Sequence, residues 1–216
     1  MIKVLLADDE DLVRSGLRTI LTSAGDIEVV AETDDGLYVA DLARQHRPNV
    51  VLLDIRMRTA DGLSALRRVR ALPEPPAVAM LTTFDVDEYV QEALRMGANG
   101  FLLKDTEPGQ LIKAVRDLAR GGAVLDPKVA ARVLSAVADG ERAAEPARRL
   151  LASLSDRERE VVTLIGQGLS NAEIGNELHL SEATVKGYVS RTLDKLSCAN
   201  RTQAGLLAYD AGLVTR

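Results

Sequence analysis

Four stretches of the chain run from apolar residues straight into a reactive polar one. Ile2–Ala7 leads into Asp8-Asp9, Val50–Leu53 into Asp54, Ala77–Leu81 into Thr82, and Phe101–Leu103 into Lys104. Together they supply three carboxylates, a hydroxyl and an ammonium. Gathered in one place, these groups could hold a divalent cation and a phosphoryl group. Mg²⁺ takes oxygen ligands in octahedral geometry, keeps several waters, and usually binds through one or two carboxylates plus phosphate oxygens. A carboxylate can also be a nucleophile and form an aspartyl phosphate. Transfer of a phosphoryl group to Asp54 requires its three oxygens to be neutralised and aligned. Mg²⁺ can take one, the Lys104 ammonium another and the Thr82 hydroxyl the third. Each residue alone has an ordinary reading, as a turn, a helix cap, a strand end or a surface lysine. Their joint occurrence at the same end of successive apolar runs singles them out.

Parallel strands would bring these groups together. Ile2–Ala7, Glu28–Ala31, Val50–Asp54, Ala77–Leu81 and Gly100–Leu103 read as strands, and their continuous apolar runs suit a sheet covered on both faces. Helical patterns alternate with them at Leu12–Thr22, Asp35–Gln45, Leu63–Ala71, Val86–Met96 and Pro108–Arg120. Gly97 and Gly121 stand where helix-ending glycines belong, and Asp85 is a candidate cap for the fourth helix. This alternation predicts a doubly wound α/β domain, in which ligands sit beyond the carboxyl ends of the strands. The polar residues fall at that end.

Bulk properties narrow the class. The 216 residues suffice for one large or two modest domains, and with no Trp the cores must be built from Leu, Val, Ile and Ala. A net charge of -5 gives no general nucleic-acid signal. One cysteine, Cys198, excludes an intramolecular disulfide framework and fits a reducing cytosol. No apolar run is long enough to span a bilayer, and the strand pattern beginning at Ile2 leaves no signal peptide to be expected. A cytoplasmic protein is the expectation.

The pattern changes after Gly121-Gly122. Pro127–Ala138 can form one more helix, and the charged, Ala-rich stretch Asp139–Arg149, interrupted by Pro146, reads as a partly helical linker. From Leu154 the pattern is helical throughout. Ser155 with Glu158, and Ser170 with Glu173, have capping-box form. Gly168 ends one helix, Asn171–Leu178 is a short second, Ser181 caps a third through Leu196, and Asn200–Ala211 makes a fourth. Val185, Val189, Leu193 and Leu196 share one face of the third helix. A short helix, a tight turn and a longer helix suggest a helix-turn-helix.

At this point the chain resembles a known family. Residues 1–121 look like the receiver domain of bacterial two-component response regulators. The resemblance rests on LLADDE, VVLLDIRM with Asp54, Asp61-Gly62, Thr82-Thr83, Gly97-Ala98 and GFLLKD with Lys104. It implies a flavodoxin-like doubly wound parallel five-stranded sheet. It also implies Asp54 as phosphoacceptor, Mg²⁺ held by Asp8, Asp9, Asp54 and the Arg56 backbone carbonyl, and phosphoryl-binding and switch residues Thr82, Thr83, Phe101 and Lys104. Within this set Asp9 is the expected direct ligand. One departure matters: receivers usually have proline four residues after the acceptor, where this chain has Arg58. That loop lacks a fixed φ and carries an extra cation.

Residues 151–216 resemble the LuxR-type helix-turn-helix that ends the NarL/FixJ class. The carrying stretch is LSDREREVVTLIGQGLSNAEIGNELHLSEATVKGYVSRTLDKL followed by NRTQA, with residues 122–150 as linker. The resemblance implies an all-α DNA-binding domain whose recognition helix is marked by Thr184-Val185-Lys186. Thr184, Lys186, Gly187 and Ser190 are the candidate groove-facing residues. Tyr188, Arg191 and Lys195 are the candidate phosphate contacts, which position rather than specify. Gly187-Tyr188 stands where the family often has Thr-His or Val-His. The domain is near neutral overall, so its basic groups must act locally.

The reading is therefore a transcription regulator switched by phosphorylation, not a turnover enzyme. A sensor histidine kinase would phosphorylate Asp54, and a homodimer, formed on activation, would bind double-stranded DNA. RNA polymerase is a further possible partner, and a membrane is not. Relatives often dimerise through the first and last receiver helices. Three other readings compete with it. An aspartyl-phosphate phosphatase would need a second acid two residues after the nucleophile, where Arg56 stands. A small-ligand LuxR-type regulator would not require Asp8, Asp9, Asp54 and Lys104 together. An atypical receiver acting without phosphate has Arg58 in its favour and the complete acid set against it.

Overall fold

A computed structural model describes residues 1–83, 87–125 and 144–214. The expected cap at Asp85 and the expected helix Pro127–Ala138 lie outside these residues. The described chain divides into two compact units, the first running from Met1 to Ala119 and taking in Val124-Leu125, the second built from the later helices.

The first unit alternates strands and helices. Its strands are β1 Ile2–Ala7, β2 Ile27–Thr33, β3 Val50–Asp54, β4 Ala77–Thr82, β5 Gly100–Leu103 and β6 Val124–Leu125. Its helices are α1 Asp11–Thr22, α2 Gly36–His46, α3 Gly62–Arg70, α4 Asp87–Arg95 and α5 Pro108–Ala119. The strands form one parallel sheet in the order β2-β1-β3-β4-β5-β6. Alternate residues serve opposite faces. Val4, Leu6, Val50, Leu52, Ala79, Leu81 and Leu102 pack with Leu17 and Leu21 of α1 and Leu111, Ala114, Val115 and Leu118 of α5. The intervening residues, among them Leu5, Leu53, Met80 and Phe101, are buried as well. Both faces are covered, so the strand sequences are apolar without alternation.

The expected sheet had five strands, and the structure has six. Past α5 the chain returns and pairs Val124 with Gly100 and Leu125 with Phe101. Glycine permits this approach: a Cβ at position 100 would stand 2.5 Å from the Val124 carbonyl oxygen. A two-residue strand is too short to leave a periodic signal in the sequence.

The second unit contains α6 Ala144–Leu151, α7 Asp156–Gly166, α8 Asn171–Leu178, α9 Glu182–Leu196 and α10 Arg201–Asp210. Pro146 falls in the first turn of α6, where the missing N–H has no intrahelical partner to lose. Both expected capping boxes form, Ser155 with Glu158 and Ser170 with Glu173. Ser181 and Asn200 accept from the backbone N–H of Thr184 and Gln203 and cap α9 and α10. The core gathers Ala147 and Leu151 of α6 with Val161, Val162, Ile165, Ile174, Val185, Leu196, Ala204 and Ala208. Val189 and Leu193 pack against it half-buried, completing the apolar face expected of α9. His179, with φ 56°, ends α8 and opens the turn into α9. No described helix is long and apolar enough to cross a membrane.

Candidate functional site

Strand register gathers the first site. Ala7 lies level with Leu53, so Asp8 follows β1 where Asp54 ends β3. Asp54 pairs with Leu81 and Thr82 with Leu103, so Lys104 emerges one residue beyond Thr82. The order of strands reverses between β1 and β3, the point at which open α/β sheets bind ligands. The β3–α3 loop closes around a glycine. A Cβ on Gly62 would come within 2.1 Å of the Asp54 carbonyl oxygen, and Gly62 donates its N–H to Ile55 at 2.9 Å. Asp61 caps α3 by accepting from Ser64 N–H at 2.7 Å. This local chemistry gives Asp61-Gly62 a structural role in seating the loop that follows Asp54.

Lys104 is the centre of the pocket. Its Nζ donates to Asp54 Oδ2 at 3.0 Å and Glu10 Oε1 at 2.7 Å, and lies 3.0 Å from Asp8 Oδ2. Asp8 is fully buried and Asp54 is 3% exposed. Asp8 Oδ2 is within ion-pair distance of Nζ yet accepts no hydrogen bond. Burial pushes the Asp54 carboxyl up to about 6; Lys104 pulls against that, and the Asp8 charge adds to it. Burial disfavours the Lys104 ammonium, but its bonds to Glu10, Asp54 and Asp8 outweigh this and hold its pKa above the ordinary lysine value. The hydrogen bond from Lys104 holds the Glu10 carboxyl below its usual range.

The expected residues are distributed unevenly about this centre. Asp8, Glu10 and Asp54 carry oxygens within 4.8 Å of one another, an all-carboxylate set of the kind hard divalent cations take. Glu10 was not among the expected site residues. Its signal was its place directly after Asp8-Asp9, where a third acid also reads as an ordinary residue at a helix start. Asp9 lies outside this set and accepts from Arg58 Nε at 3.2 Å. Arg56 donates its backbone N–H to Asp54 Oδ1 at 3.3 Å. Thr82 is buried and its hydroxyl donates to the Thr83 carbonyl at 2.9 Å, while Thr83 is exposed. Phe101 is fully buried on β5, paired with Met80, two residues before Thr82 on β4. Thr82 and Phe101 thus project to the same face of neighbouring strands.

The second candidate site is α9. Thr184, Lys186, Ser190, Arg191 and Lys195 are exposed, and Gly187 and Tyr188 are half-buried. Lys186 pairs with Glu182 one turn earlier, at 3.2 Å. The Arg191 guanidinium lies 4.8 Å from the centre of the Tyr188 ring. Lys195 is engaged inside the unit: Nζ donates to Glu158 Oε2 at 2.8 Å, joining α9 to the start of α7. That bond and the Ser155 backbone N–H pull the Glu158 carboxyl down to about 2. Arg201 is buried and donates to Asn171 Oδ1 at 3.1 Å and to the Leu169 carbonyl, tying α10 to the start of α8.

Comparison with known proteins places both parts of the chain in families. Residues 4–116 match the response regulator receiver domain, and residues 152–208 match the bacterial regulatory proteins of the luxR family. The chain is 39% identical over 213 residues to the uncharacterized transcriptional regulatory protein YxjL of Bacillus subtilis (strain 168), covering 99% of this chain and 97% of that one. It is 37% identical over 214 residues to the transcriptional regulatory protein LiaR of the same organism, covering 99% and 100%. Among solved structures it is similar to the response regulator ChrA of a heme-sensing two-component system, with 37% identity, a TM-score of 0.54, and 99% and 98% of the two chains covered. The chain belongs to the two-component response regulators that join a receiver domain to a LuxR-type DNA-binding domain and regulate transcription.

Proposed function

We propose that Asp54 accepts a phosphoryl group from the phosphohistidine of a sensor histidine kinase, and that the phosphorylated chain dimerises and binds paired DNA half-sites through α9. The observation that carries this reading is the 3.0 Å bond between Lys104 Nζ and Asp54 Oδ2, at an edge shared with Asp8 and Thr82. An Asp54 oxygen attacks phosphorus, the P–N bond breaks, and the histidine nitrogen keeps the electron pair and regains a proton. Lys104 stands ready to neutralise one phosphoryl oxygen.

Asp8, Asp9 and Asp54 with the Arg56 carbonyl are the proposed Mg²⁺ ligands, with Glu10 at hand. The all-oxygen donor set fits that ion, as does the buried Asp8 Oδ2 with its unused acceptor capacity. Bound Mg²⁺ would supply the remaining neutralising charge for the carboxylates and the transferred group.

Thr82 is the proposed reader of the phosphoryl group. Its present bond to the Thr83 carbonyl is a local one, cheaply exchanged for a charged oxygen. Its movement would let Phe101 shift and bias the β4–α4–β5 surface toward an active conformer that already exists at low population. Dimerisation is assigned to α1 and α5, where Leu12 stands exposed. Contact with RNA polymerase would turn DNA occupancy into a change in transcription. A partner that is chromosomal DNA sets the site of action in the cytoplasm. The proposed domains are a receiver over 1–121 supplemented by β6, a linker within 122–150, and a DNA-binding domain over 151–216 joined by α6, whose Ala147 and Leu151 enter its core.

Acetyl phosphate with Mg²⁺ tests the acceptor. The full-length protein is expected to gain one acid-stable, base-labile phosphoryl group and to shift toward dimer in sedimentation; Asp54→Ala should do neither. Dimerisation of Asp54→Ala on addition of the donor would reject the assignment.

A further inference from the structure

Arg58 occupies a position where receivers usually have proline, and it has a partner. Its Nε donates to Asp9 Oδ2 at 3.2 Å across 49 residues of sequence. Asp9 is mostly covered, with its side chain 17% exposed, whereas Arg58 is 83% exposed. At the same edge Lys104 serves Asp8, Glu10 and Asp54. The four acids around the β1 and β3 ends are therefore divided between two protein cations, and Asp9 alone falls to Arg58.

We propose that Arg58 is an internal competitor for the divalent cation: its guanidinium holds Asp9 and must withdraw before Asp9 can serve as a metal ligand, so that residue 58 tunes the metal affinity of the receiver. This rests on the reading of the pocket as a Mg²⁺ and phosphoryl site. A guanidinium and a metal ion crowded onto one carboxylate repel each other, and the exposed arginine can swing away on its flexible side chain. The metal therefore displaces the arginine. A proline at this position could offer no such cation. The pair is exposed on the arginine side, so its effect is bounded: exposed ion pairs correspond to at most about fivefold in an equilibrium constant. They are also screened by salt.

Calorimetric titration of the unphosphorylated full-length protein with MgCl₂ tests this, without any phosphoryl transfer. Wild type is compared with Arg58→Ala, Arg58→Gln and Arg58→Lys, each checked for folding by its melting curve. The Ala and Gln variants are expected to bind Mg²⁺ about two- to fivefold more tightly at low ionic strength. The gap should close as NaCl is raised, and the Lys variant should stay near wild type. Equal affinity in all four proteins would overturn the inference while leaving the Mg²⁺ site intact. Weaker binding by Ala and Gln would overturn it too, making Arg58 a residue that positions Asp9. No Mg²⁺ binding by any of the four would reject the reading of the pocket itself, and the inference with it.

Discussion

Asp54 carries a tension that a solvated carboxylate would not. Burial raises its pKa from 3.8 to about 6, and the Lys104 bond only partly offsets this. A folded-state pKa above the unfolded one means that the folded chain holds its proton more tightly. The associated stability is fully present below about pH 4 and is lost as pH rises from there to about 6. Asp54→Asn removes this titration and keeps an oxygen for Lys104. Its melting temperature relative to wild type is therefore expected to climb across that window and level off above it, in melts from pH 4 to 7.5. A constant difference across the series would contradict the burial argument. The residue scale is also where sequence reading was sharpest and most partial. Asp8, Asp54 and Lys104 were recognisable because each terminates an apolar run, and the structure joins them through one ammonium. The partnership of Asp9 with Arg58 depends on two loops meeting, which no local pattern encodes.

At the scale of elements, local rules were legible and close approaches were not. The two capping boxes, the Asn171–Leu178 helix and the apolar face of α9 follow from contacts three or four residues apart, so the sequence contains them entirely. β6 exists because α5 returns the chain beside a glycine, a long-range fact. Lys195 reads from sequence as an exposed cation on a DNA-facing helix, yet in the fold it is bonded to Glu158, 37 residues away. Gly62 shows how tightly the loop after Asp54 is packed. Its missing side chain would meet the Asp54 carbonyl oxygen at 2.1 Å and Ile55 Cα at 2.8 Å, and neither backbone atom can swing aside. Gly62→Ala is expected to destabilise the receiver by about 1–3 kcal/mol. It should also slow phosphoryl acceptance, because β3 and its terminal Asp54 must shift. Urea midpoints and a phosphodonor time course on the same variant check both effects.

For the whole molecule the problem is electrostatic. A chain of net charge -5 must approach a polyanion, so DNA binding depends on where its cations stand rather than how many there are. On α9, Lys186 and Arg191 are exposed, the first paired with an i,i+4 carboxylate and the second lying over an aromatic ring, partners that cost little to leave. If phosphorylation works by dimerisation, the logarithm of operator affinity against the logarithm of salt concentration should be about twice as steep for the phosphorylated protein as for Asp54→Ala. Fluorescence anisotropy on one labelled duplex measures both slopes. Equal slopes would mean that phosphorylation changes affinity without adding a second recognition helix.

The class is legible in the sequence: an α/β unit with polar residues gathered at one strand edge, followed by a helix-turn-helix. These follow from periodicities, caps and strand-terminal residues, which are local and survive without knowledge of any distant contact. How the charges are shared depends instead on the folded chain. Register brings Asp8, Glu10 and Asp54 to one lysine, loop packing gives Asp9 to Arg58, and helix packing gives Lys195 to Glu158. Charges act through space over a few ångströms, and residues 37 to 96 positions apart become neighbours only once the chain has folded.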